Sequence, residues 1–253
     1  MTMGWGTQRA PEGGESHLER LVHSHSEDEL RAVASNPNLT EDLARALLSR
    51  RDLPPSVLQD LAKNATAMKN RSVIVGLVSH PRTPRFIAMP TARLLYPFEL
   101  MNVALQPAVA PDLKIAIQQM LLDKLENMPL GEKLTLAKRG PTRIAEALLI
   151  DAELRVIENA LNNPYLTEAC IVRTLMKEEV SIRFVELVAH HPKWGLRTDV
   201  RCALLRNPNT PMGVALHFAQ TLPADIARDA LFNSNLPKSV KTYLMAEIQH
   251  RER

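Results

Sequence analysis

Ser35-Asn36-Pro37-Asn38-Leu39-Thr40-Glu41 returns 127 positions later, without a gap, as Asn162-Asn163-Pro164-Tyr165-Leu166-Thr167-Glu168. At the same shift Val57, Leu58, Leu61 and Ala62 fall on Phe184, Val185, Val188 and Ala189. Val73, Leu77 and Val78 fall on Val200, Leu204 and Leu205, and His80-Pro81-Arg82-Thr83-Pro84 falls on Asn207-Pro208-Asn209-Thr210-Pro211. A self-match at fixed offset, with apolar positions kept and polar ones drifting, is the mark of stacked repeats. Toward the end of the match the best shift slips to 126, where Ala104-Leu105 before Pro111 meets Ala230-Leu231 before Pro237. Two copies are expected, at about 35–115 and 162–241.

Each quoted element reads as a corner between helices. Proline disfavours the helical conformation of the residue before it, so Asn36, His80, Asn163, His191 and Asn207 close their helices. Asn also tolerates the left-handed backbone common at helix ends. Thr40 and Thr167 can cap the next helix, with Glu41 and Glu168 in its positive first turn. Thr83-Pro84 and Thr210-Pro211 place Thr at the cap and Pro at the first helical position. Between corners, apolar residues recur at three- and four-residue spacing, which predicts about fifteen short amphipathic helices. Three connecting helices are expected over Asp112–Met128, Gly131–Arg139 and Thr142–Leu161.

Composition agrees with an all-α chain. The 253 residues are 45 % hydrophobic but only 4 % aromatic, and Ala and Leu, both helix formers, dominate the apolar set. Only nine Gly occur, four of them at positions 4, 6, 13 and 14, too few for the turns of a β-sandwich or a nucleotide-binding α/β fold. Met1–Ser16 is polar and Gly-rich and predicts a flexible tail, followed by one continuous helical domain over 17–253. No segment has the ~20 apolar residues of a membrane span, and the two cysteines, Cys170 and Cys202, read as free buried thiols of a cytoplasmic protein.

The corners Asn-Pro-Asn-Leu-Thr, His-Pro-Arg-Thr-Pro and Asn-Pro-Asn-Thr-Pro, each followed by Leu and Ala at helical spacing, resemble the bacterial leucine-rich repeat variant family and, more loosely, HEAT-type α-solenoids. The resemblance covers about two-thirds of the chain. It implies an α-solenoid of short stacked helices. The iron–sulfur centre of some leucine-rich repeat variant proteins is not implied, because no cysteine precedes Cys170.

Few residues of the chain carry a recognisable chemistry. There is no Gly-rich phosphate loop, HExxH, GxSxG or paired Cys–His spacing, and no cofactor or catalytic residue is assigned. His17, His23 and His25 with Glu27 and Asp28 form the one local group of metal-capable side chains, read as a solvated segment. His190-His191 straddles a helix end, and His217 is expected to be structural. The net charge of +3 comes from 17 Lys/Arg against 14 Asp/Glu in residues 127–253, the first 126 being balanced at 14 each. One constellation stands out there: Lys193, Trp194, Arg197, Asp199, Arg201 and Arg206. Arg197 and Arg201, four apart, share a helix face where a phosphate could bridge them. The first-copy positions matching Trp194, Arg197, Asp199 and Arg201 are Ala67, Asn70, Ser72 and Ile74. Two functions stay open. A non-enzymatic solenoid would bind a partner protein through its concave surface. The alternative is a nucleic-acid-binding solenoid, since some HEAT-like DNA glycosylases use Trp, Asp and Arg to hold a nucleotide.

Overall fold

In a computed structural model, residues 13–177 and 180–251 are described. They form 17 α-helices and one 3₁₀ turn, with no strand among the described residues. The helices are α1 (Gly13–Val22), α2 (Glu27–Ala34), α3 (Glu41–Ser49), α4 (Pro55–Lys63), α5 (Arg71–Ser79), α6 (Arg85–Ala92), α7 (Pro97–Leu105) and α8 (Pro111–Leu125). They continue as α9 (Leu130–Arg139), α10 (Thr142–Leu148), α11 (Leu154–Leu161), α12 (Glu168–Leu175), α13 (Ile182–His190), α14 (Thr198–Arg206), α15 (Met212–Thr221), α16 (Ala224–Phe232) and α17 (Lys238–Arg251). Most are eight to ten residues long. Helices so short are marginal alone and depend on packing. None of the described helices is long and apolar enough to cross a membrane.

Contacts divide the chain into two compact units, residues 1–120 and 121–253. In the first unit α1 packs on α3, α2 on α4, α3 on α5 and α5 on α7. In the second, α9 packs on α11, α11 on α13, α10 on α12, α12 on α14, α14 on α16 and α15 on α17. Helices therefore meet the one two places on as well as their chain neighbours. The core of the first unit runs from Leu18 through Leu30, Leu47, Leu58 and Leu77 to Ile87. Leu61, Leu77, Val188 and Leu204, expected to be buried from the matched periodicity, are all fully buried.

Helix starts follow the sequence shift. Those of α2 to α8 fall at 27, 41, 55, 71, 85, 97 and 111, and those of α11 to α17 at 154, 168, 182, 198, 212, 224 and 238, each 127 later. The slip to 126 read from the sequence does not occur in the helices. It arises because Pro97 is the first residue of α7, whereas Pro223 precedes the first residue of α16.

Several local readings need correction. The helix expected over Thr142–Leu161 is two, α10 and α11. Between them Asp151 accepts the backbone N–H of Glu153 and takes Lys133 as ion partner at 3.1 Å. Thr40 caps α3, accepting from Leu43 N–H, but Thr167 makes no such cap and its hydroxyl lies 3.1 Å from Cys170 Sγ. Thr83 and Thr210 turn backward, donating to the carbonyls of Leu77 and Leu204, while Pro84 and Pro211 stand at the caps. The expected tail over 1–16 lies outside the described residues as far as residue 12, and residues 13–16 open α1.

No described residue has a positive φ, so the corner asparagines are not there for left-handed backbone. They are there for their amides. The last carbonyls of a helix have no partner inside it, and at one corner after another a side chain from the helix two places on supplies one. Asn64 Nδ2 donates to the carbonyls of Ala34 and Asn36 at 2.9 and 2.8 Å. Asn163 Nδ2 reaches Ala137 and Gly140, and Asn207 Nδ2 reaches Leu175. Arg50 covers Val22 and Ser24, and its own carbonyl bonds His80 Nε2 at 2.7 Å. Arg251 closes the series on Ala219, Gln220 and Leu222.

Candidate functional site

Three clefts of the second unit converge on the corner His190-His191-Pro192. The first, about 510 Å³, lies among α13, α14 and α15 and is lined in part by His190, Gly195, Arg201, Gly213, His217 and Phe218. A second, about 630 Å³, runs beside Leu154, Arg183, Glu186 and Leu187. A third, about 350 Å³, includes Leu161, Asn163 and Lys193.

The corner itself is built by Trp194. Its indole is buried and donates from Nε1 to the carbonyl of Leu161 at 2.8 Å. His191 Nδ1 accepts from the N–H groups of Lys193 and Trp194, which requires the ring to be unprotonated at that nitrogen. Burial first, then the Lys193 charge, pushes the His191 pKa down, in keeping with that role. Behind the indole the chain turns so tightly that a Cβ on Gly195 would stand 2.4 Å from the Ala189 carbonyl. Only glycine fits this approach.

Arg201 reaches the first cleft from α14. Its Nε donates to the Gly195 carbonyl at 2.7 Å, and its Cζ lies 5.5 Å from the centroid of the buried Phe218 ring. Among the described residues its two Nη groups have no partner, and no Asp or Glu lines this cleft. Gly213, in the first turn of α15, also lines the cleft and faces open space: apart from its chain neighbours and its own helix backbone, no atom lies within 4 Å of where a Cβ would sit.

The sequence constellation is thus partly dispersed. Lys193 is exposed, with its Nζ 3.9 Å over the Trp194 ring. Arg206 pairs with Asp229 at 3.0 Å. Arg197 and Asp199 are exposed, and no described residue pairs with the Arg197 guanidinium. Arg201 alone of the six lines the first cleft, and Lys193 lines the third. Sequence reading passed over Gly195, Gly213 and Phe218, and took His190 and His217 as structural residues, not as cleft lining. The signal for them lies in the 127 shift, because Met68, Ile74, Phe86 and Pro90 stand where Gly195, Arg201, Gly213 and His217 do. Among the described residues no three His, Cys, Asp or Glu side chains converge to hold a metal. Cys170 is buried, and burial raises the pKa of the half-buried Cys202 thiol.

Compared with known proteins, the chain matches no family model, no curated protein and no solved structure.

Proposed function

We propose that the chain is an internally duplicated α-solenoid, of the leucine-rich repeat variant or HEAT-like kind its corners resemble, and a non-enzymatic scaffold that holds a partner protein. The solenoid reading is supported by packing of each helix on the one two places on, and by corner side chains that reach the helix end below. The duplication reading is supported by seven helix starts displaced by 127.

One observation carries the binding role: the second series departs from the repeat pattern where a cleft opens. Met68 packs against the first unit's core, whereas its counterpart is the bare backbone of Gly195; buried Ile74 is replaced by the arginine that lines the cleft. A repeat that needed only to stack would keep the apolar pair. Exchange of a core residue for a half-buried cation fits a recognition role better than a packing one. The nucleic-acid alternative loses support from the same geometry. The Trp194 edge is used on Leu161 and Arg206 on Asp229, so neither is available for a strand. Stacking and a continuous cationic track are what such binding needs.

Cross-linked capture of partners from native extract, with and without nuclease and across a salt series, tests the reading. A protein partner retained after nuclease, and weakened by Gly213→Phe, is the expected result. Capture that vanishes with nuclease, with a steep salt dependence, would assign the surface to nucleic acid instead.

A further inference from the structure

We infer that the cleft among α13, α14 and α15 takes the free C-terminal carboxylate of a peptide whose last side chain is apolar. This rests on the reading that the chain holds a protein partner, and it names the part of that partner the site fits. The Gly195 carbonyl fixes the Arg201 guanidinium through Nε at 2.7 Å, and the residue lines the cleft with its pair of Nη groups left without a partner among the described residues. A planar guanidinium edge matches a carboxylate through two parallel hydrogen bonds. No carboxylate among the described residues lines the cleft to neutralise it. The charge of the ligand is also bounded. Lys193 and Arg206 are engaged elsewhere and Arg197 does not line the cleft, so one guanidinium faces one negative charge.

The walls decide what the carboxylate is attached to. Leu196, Val214 and Phe218 line the cleft with Arg201, whose Cζ is 5.5 Å from the Phe218 centroid. An anion seated on Arg201 therefore has its substituent against hydrocarbon within one residue's reach. A C-terminal residue carries carboxylate and apolar side chain on one Cα. An internal Asp or Glu brings methylenes and then polar backbone into the same space. The volume of about 510 Å³ is in the range of small-ligand sites. The neighbouring cleft shares His190, His191 and Pro192 with it and offers a path for the residues before the last.

The test uses the full chain and fluorescence anisotropy with two pools of labelled hexapeptides ending in Leu, Val or Phe, one as free acids and one as C-terminal amides. The free-acid pool is expected to bind, the amide pool to bind about tenfold more weakly or worse. Arg201→Gln should remove the difference between the pools. Because that change also releases Gly195, Gly213→Phe provides the second variant. It installs the residue found at the matching position, Phe86, where a Cβ meets nothing within 4 Å. It should abolish free-acid binding without lowering the thermal midpoint. Equal binding of both pools overturns the carboxylate site while leaving a peptide-binding scaffold standing. Binding of neither pool overturns it too, and partner capture then reports on the scaffold separately. Displacement of the free-acid pool by inorganic phosphate or a short single-stranded oligonucleotide would assign the cleft to phosphate.

Discussion

The corner after α4 and the corner after α13 are the same joint made in two ways. In the first unit one side chain does everything: Asn64 Oδ1 accepts from Thr66 and Ala67 N–H, and its Nδ2 donates to Ala34 and Asn36. In the second, at positions 127 higher, the duties are divided. His191 Nδ1 accepts from Lys193 and Trp194 N–H, and the Trp194 indole donates to Leu161, the counterpart of Ala34. Unlike His80, whose Nε2 bonds the Arg50 carbonyl, His191 reaches no carbonyl below it among the described residues, and a larger donor stands where Ala67 sits in the first unit. Tight placement of that indole is followed by Gly195 instead of Met68, and the cleft lies beside it. The comparison teaches that satisfied hydrogen bonds at a helix end, and not residue identity, are what the two corners have in common.

The strongest way to break this comparison is Trp194→Ala. It removes a buried indole and leaves the Leu161 carbonyl without its donor, and is expected to destabilise by ~3–5 kcal/mol. Chemical denaturation followed by circular dichroism measures it. Adding His191→Asn should recover roughly 1 kcal/mol, because the Asn64–Ala67 arrangement is then rebuilt in the second unit. Independent, additive losses in the double variant would show that the two corners are not equivalent.

Next in size are the matched core leucines. Leu77→Ala and Leu204→Ala each delete a fully buried side chain and should each destabilise by ~2–5 kcal/mol. A loss below about half a kcal/mol at either would contradict its place in the packed face.

A smaller, pH-dependent effect separates His80 from Asn207, its counterpart. His80 Nε2 bonds the Arg50 carbonyl and Nδ1 accepts from Arg82 N–H, so the neutral ring suits the fold. Burial pushes its pKa down, helped by Arg82, against the Arg50 carbonyl bond and Asp52, which raise it. With the folded pKa below the ordinary ~6.5, the unfolded chain takes up the proton first as pH falls. The contribution is therefore present above that value and lost below it. Urea titrations at pH 7.5 and 5.5 should show a smaller drop for His80→Asn than for the unaltered chain. An equal drop would mean that His80 does not couple to folding.

Much of this architecture was legible in the residues. Pro and Asn punctuation with 3.6 periodicity marked the corners and the buried faces of Leu61 and Leu204, because both follow from local backbone rules. The ladder of corner side chains was not legible. Nothing in Asn64 itself says that its partner is Ala34, 30 residues earlier. Trp194 was grouped with Arg197 as a candidate binding residue, since composition cannot tell a buried donor from an exposed stacking face. Arg201 was singled out for sharing a face with Arg197. Its real setting comes from Gly195, Gly213 and Phe218, which only the tertiary turn brings to it.

The smallest effect contrasts the two glycines of the cleft. At Gly195 a methyl group would meet the Ala189 carbonyl at 2.4 Å and the His191 carbonyl at 3.1 Å. Both obstacles are backbone, so the corner must open, the Arg201 bond to the Gly195 carbonyl must shift, and Gly195→Ala should destabilise measurably. At Gly213 nothing stands within 4 Å and the residue lies inside α15. Replacing a helical glycine by alanine reduces the freedom of the unfolded chain, so Gly213→Ala should stabilise by up to about 1 kcal/mol. The pair of thermal midpoints should move in opposite directions. If Gly213→Ala also lowers the midpoint, the backbone of α15 is packed at that point, and the cleft that depends on its being open is not there.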